Sequence, residues 1–387
     1  MRAWWSLLLM MACKSGGDAE DPAPTKKKAP PKEVASASAA PSTSATVVYK
    51  TEGRIVASRE KQEGLFLLDL EGTATPLRAD REGKLTAVWA GPGGKLALAT
   101  YEEAGKRTMH VARLSGDELM LGDVVLADAT GVYVIAASED GRTVLVDRQS
   151  KTESEVMLAR AGKPTTSLWK SRSAGGGAVS KDGKRAVFAG VPVTCKPPTW
   201  LGNCPYHAFR ADLVTLKVEP LSEPKVGAAY QPRFHPTDPE TIFFQSTTAS
   251  AEGCTDFNHC RHDLMVRAFG AETAAPRLLR KNGYGLSFAP SGAFWEFQSL
   301  DGSGCSALPC QASALFVGKE SEIASVSKPI AEDVAIFNGR FVSPDERFLA
   351  YRGTEGGTTG QVGLVIRTVD GKKIRFLEGH HPHGWLR

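Results

Sequence analysis

The stretch "CTDFNHCRHD", residues 254 to 263, places two cysteines, two histidines and two aspartates within ten positions. Such residues can hold a metal ion, pass electrons through a thiol pair, or close a loop with a disulfide. A metal site calls for C-x-x-C or H-x-x-x-H spacing, and Cys254 and Cys260 do not have it. Two further pairs are equally local, Cys195 with Cys204 and Cys305 with Cys310. Three close pairs without ligand spacing point to three local disulfides. On a chain-entropy model each bridge would contribute about 2–3 kcal/mol. Trp200, Tyr206, Phe257, His259 and His262 lie in or beside these stretches and are the candidate partner-binding residues. Aromatic side chains on stapled loops lose little rotamer entropy when they bind, which suits them as contact anchors.

A second histidine group, His380, His381 and His383, falls in "HHPHGW". Neither histidine group has a carboxylate or thiolate at convincing ligand spacing, so no metal and no cofactor is expected. In "LDGSGCS" the G-S-G triplet lacks the G-x-S-x-G frame of a nucleophile elbow. Phosphate-loop, dinucleotide and calcium-loop patterns are missing as well. Asp140, Asp182 and Asp345 stand in turn signals and read as turn formers. No catalytic residue is assigned.

Composition narrows the class further. At 387 residues, 42 % hydrophobic and 23 % charged, the chain reads as an ordinary soluble protein and not a membrane-embedded one. A formal charge of +4, with Lys26-Lys27-Lys28 as its densest basic block, is too weak and diffuse for a nucleic-acid footprint.

The elements that must carry these residues are strands. Short apolar or alternating runs recur from Val47 to Arg387, among them "GLFLLDL", "GVYVIAA", "RTVLVD", "TIFFQS" and "GQVGLVIRTV", separated by Gly, Asp and Pro. Taking Gly94, Gly141, Gly183, Pro239, Gly292 and Glu346 as hairpin markers, the spacings are 47, 42, 56, 53 and 54. Four-stranded units at such a period are the signature of propeller blades. The expected fold is therefore an all-β propeller over 47–387, with seven four-stranded blades, six being the alternative. Residues 53 to 78 hold only three strands, and "HPHGWLR" resembles a lone first strand. Their pairing would close the ring. The cysteine pairs occupy the long repeats, each between a second and a third strand, and so on one face.

"FVSPDERFLAYR", "AVSKDGKRAVFAG" and "FAPSGAFWEFQ" resemble the TolB-type, WD40-like repeat, whose core is an F-S-P-D-G-K turn before an apolar strand. Ser343, Pro344 and Asp345 match that core closely, and the resemblance implies the propeller without assigning an activity. At the N-terminus, "LMMAC" resembles the bacterial lipobox, which implies a signal peptide over 1–13 and lipidation of Cys13. A plain secretion signal is the alternative. Lys14 after the cysteine implies the outer membrane, facing periplasm or cell surface. Residues 14–46, rich in Ala, Pro, Ser and Lys, read as a disordered tether.

The functional expectation is a lipid-anchored envelope scaffold, monomeric, that binds protein, peptide or glycan and no nucleic acid. The alternative is a propeller hydrolase or lyase working in the central channel. For that role the innermost strands offer Arg233, His235 and Arg340 but no carboxylate pair.

Overall fold

Apolar residues at alternate positions, interrupted by turn formers, produce antiparallel hairpins throughout, with no α-helix among the described residues. The structure is a computed structural model. It describes residues 49–150, 153–194, 206–221, 228–247, 262–270, 275–299, 313–334, 336–354 and 361–387, leaving aside the side chains of 333–339. Tyr49–Arg387 forms one compact unit.

The first sheet contains β1 (Arg54–Arg59), β2 (Gln62–Leu68) and β3 (Ala74–Pro76). After a two-residue β4 (Arg78–Ala79), the second is built from β5 (Lys84–Ala90), β6 (Ala97–Glu103), β7 (Lys106–Ser115) and β8 (Glu118–Leu126), with β4 added in parallel along β8. The third begins with β9 (Val132–Ala137), β10 (Thr143–Gln149) and β11 (Ser154–Arg160). Next comes β12 (Lys163–Val179), a 17-residue strand that completes this repeat and opens the following one. Because of it, β13 (Arg185–Pro192), β14 (His207–Asp212) and β15 (Lys217–Pro220) continue the same seven-stranded sheet.

Three regular four-stranded sheets follow. They are β16 (Ala229–Phe234), β17 (Thr241–Thr247), β18 (His262–Ala268) and β19 (Arg277–Arg280); then β20 (Gly283–Phe288), β21 (Trp295–Ser299), β22 (Ser313–Gly318) and β23 (Ala331–Val334); then β24 (Ile336–Val342), β25 (Phe348–Thr354), β26 (Val362–Thr368) and β27 (Lys373–Glu378). Finally β28 (His380–Leu386) returns to pair antiparallel with β1, from Arg54 opposite Leu386 to Arg59 opposite His380. The C-terminus thus supplies the missing first strand of the first sheet, as its sequence leads one to expect.

Hairpin turns show why the repeat has its composition. Five of the six marker positions, Gly94, Gly141, Gly183, Gly292 and Glu346, have positive φ, between 56° and 80°. At Ser138, Ser180 and Ser343 the hydroxyl donates to the aspartate two residues on, Asp140, Asp182 and Asp345, at 2.6 Å each. The same hydroxyl accepts the backbone N–H of Thr143, Arg185 and Phe348 at 3.0 Å. These aspartates are therefore turn formers. Between neighbouring sheets the apolar faces pack in shared clusters, for example Phe243, Leu264, Trp295, Phe297 and Phe316 across two repeats. Burying an aromatic or leucine side chain of this kind stabilises by roughly 1.5–3 kcal/mol.

The cysteine-bearing segments leave from equivalent places. Residues 195–205 lie between β13 and β14, 248–261 between β17 and β18, and 300–312 between β21 and β22, always between second and third strands. The six cysteines themselves lie outside the described residues, as do Cys13, the tether, Trp200, Phe257 and His259.

Candidate functional site

The first described residue after each cysteine-bearing segment is tied into a polar and aromatic row. Tyr206 follows the first segment. Its hydroxyl shares a 2.7 Å hydrogen bond with Ser173 Oγ, and its ring lies 5.4 Å from that of Tyr230 on β16. His262 follows the second and sits between Tyr230 and Tyr284, with ring centroids at 6.4 and 5.8 Å. Ser313 follows the third and donates to Gln298 Oε1 at 2.9 Å.

Two glutamines hold this row. Gln245 Oε1 accepts the N–H of Gly285 at 3.1 Å, which orients its amide so that Nε2 donates to His262 Nδ1 at 2.8 Å. Tyr230 stands opposite Gln245, and Tyr284 opposite Gln298, so successive repeats use one Tyr–Gln pairing. Burial, with Tyr206 nearby, pushes the Tyr230 phenol up to about 12, and burial raises Tyr284 too. Both stay neutral hydrogen-bonding groups over the physiological range.

His262 corrects the expectation of a surface contact residue. It is 4 % exposed, paired in β18 opposite Thr247 and bonded to Gln245, so it is buried within the row. Tyr206 remains partly exposed. Tyr230, Tyr284, Gln245 and Gln298 escape a reading by type and spacing. The signal that could find them is the aligned pair "AYQPRF" and "GYGLSF", where tyrosine recurs at the second position of two innermost strands.

Deeper in the same repeats lies a charged cluster. Glu296 on β21 has a fully buried side chain, and Arg340 Nε on β24 meets its Oε2 at 2.8 Å. Burial raises the Glu296 carboxyl above the usual range, opposed by Arg340. Arg233 on β16 is lowered by burial and by repulsion from Arg340, while Glu296 counters. The sequence offered both arginines; the carboxylate comes from "FWEFQ", a charge inside an apolar strand, which is itself an anomaly.

His235 falls just past β16 and not within it. Its Nδ1 accepts N–H groups of Thr237 and Asp238 at 3.2 and 3.0 Å, which leaves Nε2–H to donate to Glu320 at 3.0 Å. It takes the place that serine holds in the other turns, and both nitrogens are committed. The C-terminal histidines lie on β28 itself, with His381 Nε2 at 3.2 Å from Glu60 and His383 Nε2 at 2.9 Å from Ser58 Oγ. Among the described residues no group of three or more His, Cys, Asp or Glu could hold a metal ion.

Comparison with known proteins places this geometry. The β-propeller domain of the Trilobed protease from Pyrococcus furiosus matches at 12 % identity over 76 % of this chain and 83 % of that one, with a TM-score of 0.50. The fold is a β-propeller. An oligogalacturonate lyase in complex with manganese matches at 14 % identity, 79 % and 82 % coverage and TM-score 0.52. TolB from Acinetobacter baumannii matches at 13 % identity, 85 % and 81 % coverage and TM-score 0.47. Likeness at these identities is one of fold. No family model matches the sequence, and no curated protein does. The Pyrococcus propeller has an open Velcro topology, whereas here β28 pairs with β1.

Proposed function

We propose that this propeller is a binding scaffold of the bacterial cell envelope, held at the outer membrane through lipidated Cys13 and docking a protein, peptide or glycan on its cysteine-rich face. One observation carries the reading. Three cysteine-bearing segments leave from equivalent places in consecutive repeats, and Tyr206, His262 and Ser313 root them in one hydrogen-bonded and aromatic row. In an oxidising compartment Cys195–Cys204, Cys254–Cys260 and Cys305–Cys310 would close as disulfides. Trp200, Phe257 and His259 would then lie within segments closed by these bridges, where aromatic anchors bind at low entropic cost. Seven repeats, with β12 counted in two, complete the ring.

The test is cross-linking of the anchored protein in intact cells, followed by mass spectrometry. Trp200→Ala with Phe257→Ala is expected to reduce the principal cross-linked species by about tenfold or more. An unchanged cross-link pattern would remove the interface from this face. Cys13→Ser is expected to release the protein from the membrane fraction. A second reading, an enzyme of the central channel, is favoured by the fully buried Glu296 paired with Arg340. Turnover in a hydrolase and lyase screen that disappears in Glu296→Gln would establish it.

A further inference from the structure

The outer strand of one repeat borders an open groove. It holds about 520 Å³ and runs between β19 and the connection from β22 to β23, with Leu278, Leu279, Arg280 and Lys281 on one side and residues 324–327 on the other. Ligand sites commonly have volumes of about 300–1,000 Å³. Arg280 builds the groove. Its Nη1 donates to the carbonyls of Ile323 and Val326 at 3.2 and 2.8 Å, and its guanidinium lies 5.4 and 5.5 Å from the ring centroids of Phe297 and Phe316. These bonds hold a connection of the next repeat beside β19. That connection is not a strand of the β19 sheet, in which β19 comes last, so among the described residues the outer edge of β19 has no strand partner. Such an edge can take up an extended chain through main-chain hydrogen bonds.

Charge selects the occupant. The two charged residues of the lining, Arg280 and Lys281, are both cationic, and Arg277 and Lys328, each next in the chain to a lining residue, are exposed cations. Two glutamates of the same connection have partners of their own: Glu320 accepts from His235, and Glu322 accepts the N–H of Lys319. A second copy of the chain pairing edge to edge would set like charges against one another, which is unfavourable. Leu278, 41 % exposed, adds an apolar contact. An extended peptide in which carboxylates alternate with apolar side chains matches both features, because successive side chains of a strand point to opposite faces.

We propose that an acidic, extended peptide segment of a partner protein docks in this groove. It adds a strand alongside the four residues of β19, with an apolar side chain on Leu278 and a carboxylate on Lys281. Arg280 acts as a positioning residue that keeps the opposite wall in place. The groove shares no residue with the cysteine-bearing segments or with the Tyr206 row, so failure of either site leaves the other standing.

The experiment is fluorescence anisotropy of the mature, oxidised chain at neutral pH and low salt, using a short labelled peptide of alternating glutamate and valine, capped at both ends. The matching peptide of lysine and valine is expected to bind about tenfold or more weakly. Methylating alternate backbone nitrogens of the acidic peptide is expected to abolish binding in one of the two registers, since a strand turns alternate N–H groups toward its neighbour. Lys281→Glu is expected to weaken the acidic peptide by about tenfold and to turn the preference toward the lysine peptide, a reversal that a merely structural lysine would not produce. Leu278→Ser is expected to lose affinity several-fold. Both side chains are exposed, so both variants should fold. Equal binding of acidic and basic peptides, equal binding in both methylated registers, indifference to Lys281→Glu and Leu278→Ser, or self-association of the chain that Leu278→Ser abolishes would overturn the proposal.

Discussion

Ser180 shows how much one small side chain can settle. It is almost fully buried, donates to Asp182 and accepts from Arg185, and so joins both ends of a hairpin turn. Hydrogen bonding from Ser180 holds the Asp182 carboxyl below its ordinary value. That carboxyl is a stable acceptor for the hydroxyl and for the Lys184 N–H, which bonds it at 3.1 Å. Removing one partner leaves the others unpaired, so Ser180→Ala is expected to cost about 1–2 kcal/mol in urea denaturation. The equivalent changes Ser138→Ala and Ser343→Ala should cost a similar amount, because the turn geometry repeats. This part of the molecule was legible from residue types alone: Ser, Asp and Gly in that order describe a turn. Glu296 was not read in this way. A glutamate within "FWEFQ" carries no motif, and its partners Arg233 and Arg340 come from two other repeats.

At the scale of the element, β28 is the strand on which closure depends. Trp385 and Leu386 are almost fully buried, and Trp385 Nε1 donates to Phe341 O at 3.0 Å, tying the last strand to the preceding repeat. Trp385→Ala is expected to lose about 3–5 kcal/mol, measured as a shift in the urea midpoint. The same strand makes stability depend on pH. Burial lowers His383, with His381 adding repulsion, and burial lowers His381, with Arg352 adding repulsion and Glu60 opposing. A histidine whose folded value is depressed binds fewer protons in the native state than in the unfolded chain. Stability therefore rises with pH, and is lost as pH falls below about 6.5, the unfolded value, toward the folded one. Urea midpoints at about pH 7.5 and about pH 5 should differ, and His383→Gln should shrink the difference. An unchanged difference would mean that His383 carries none of it.

Across the whole molecule, the repeats cooperate because each apolar face is covered by the next sheet, as where Ile55 and Leu68 meet Phe348 and Ile366. The period of the turn markers anticipated this architecture, and the pairing of β28 with β1 completed it. One departure has a local cause. The 17-residue β12 runs on where two separate strands were expected, because its first half pairs with β11 up to Ser171 and its second half pairs with β13 from Ser171 onward, with a register shift between Gly175 and Gly177. If the three cysteine pairs are bridged as proposed, reduction should destabilise the ring by about 2–3 kcal/mol per bridge. Thermal melts of the oxidised and reduced protein, with the number of free thiols counted, test this directly.

By itself the sequence determined the strand class, the period, the turn chemistry, the closing strand and the place of each cysteine pair within its repeat. These depend on alternation and on residues near one another in the chain, where local sterics and hydrogen bonding decide the outcome. Only the tertiary structure decided that Tyr206, Tyr230, His262 and Tyr284 form one row, and that Glu296 meets Arg340. Those neighbours come from different repeats, and it is the packing of sheet on sheet that brings them together.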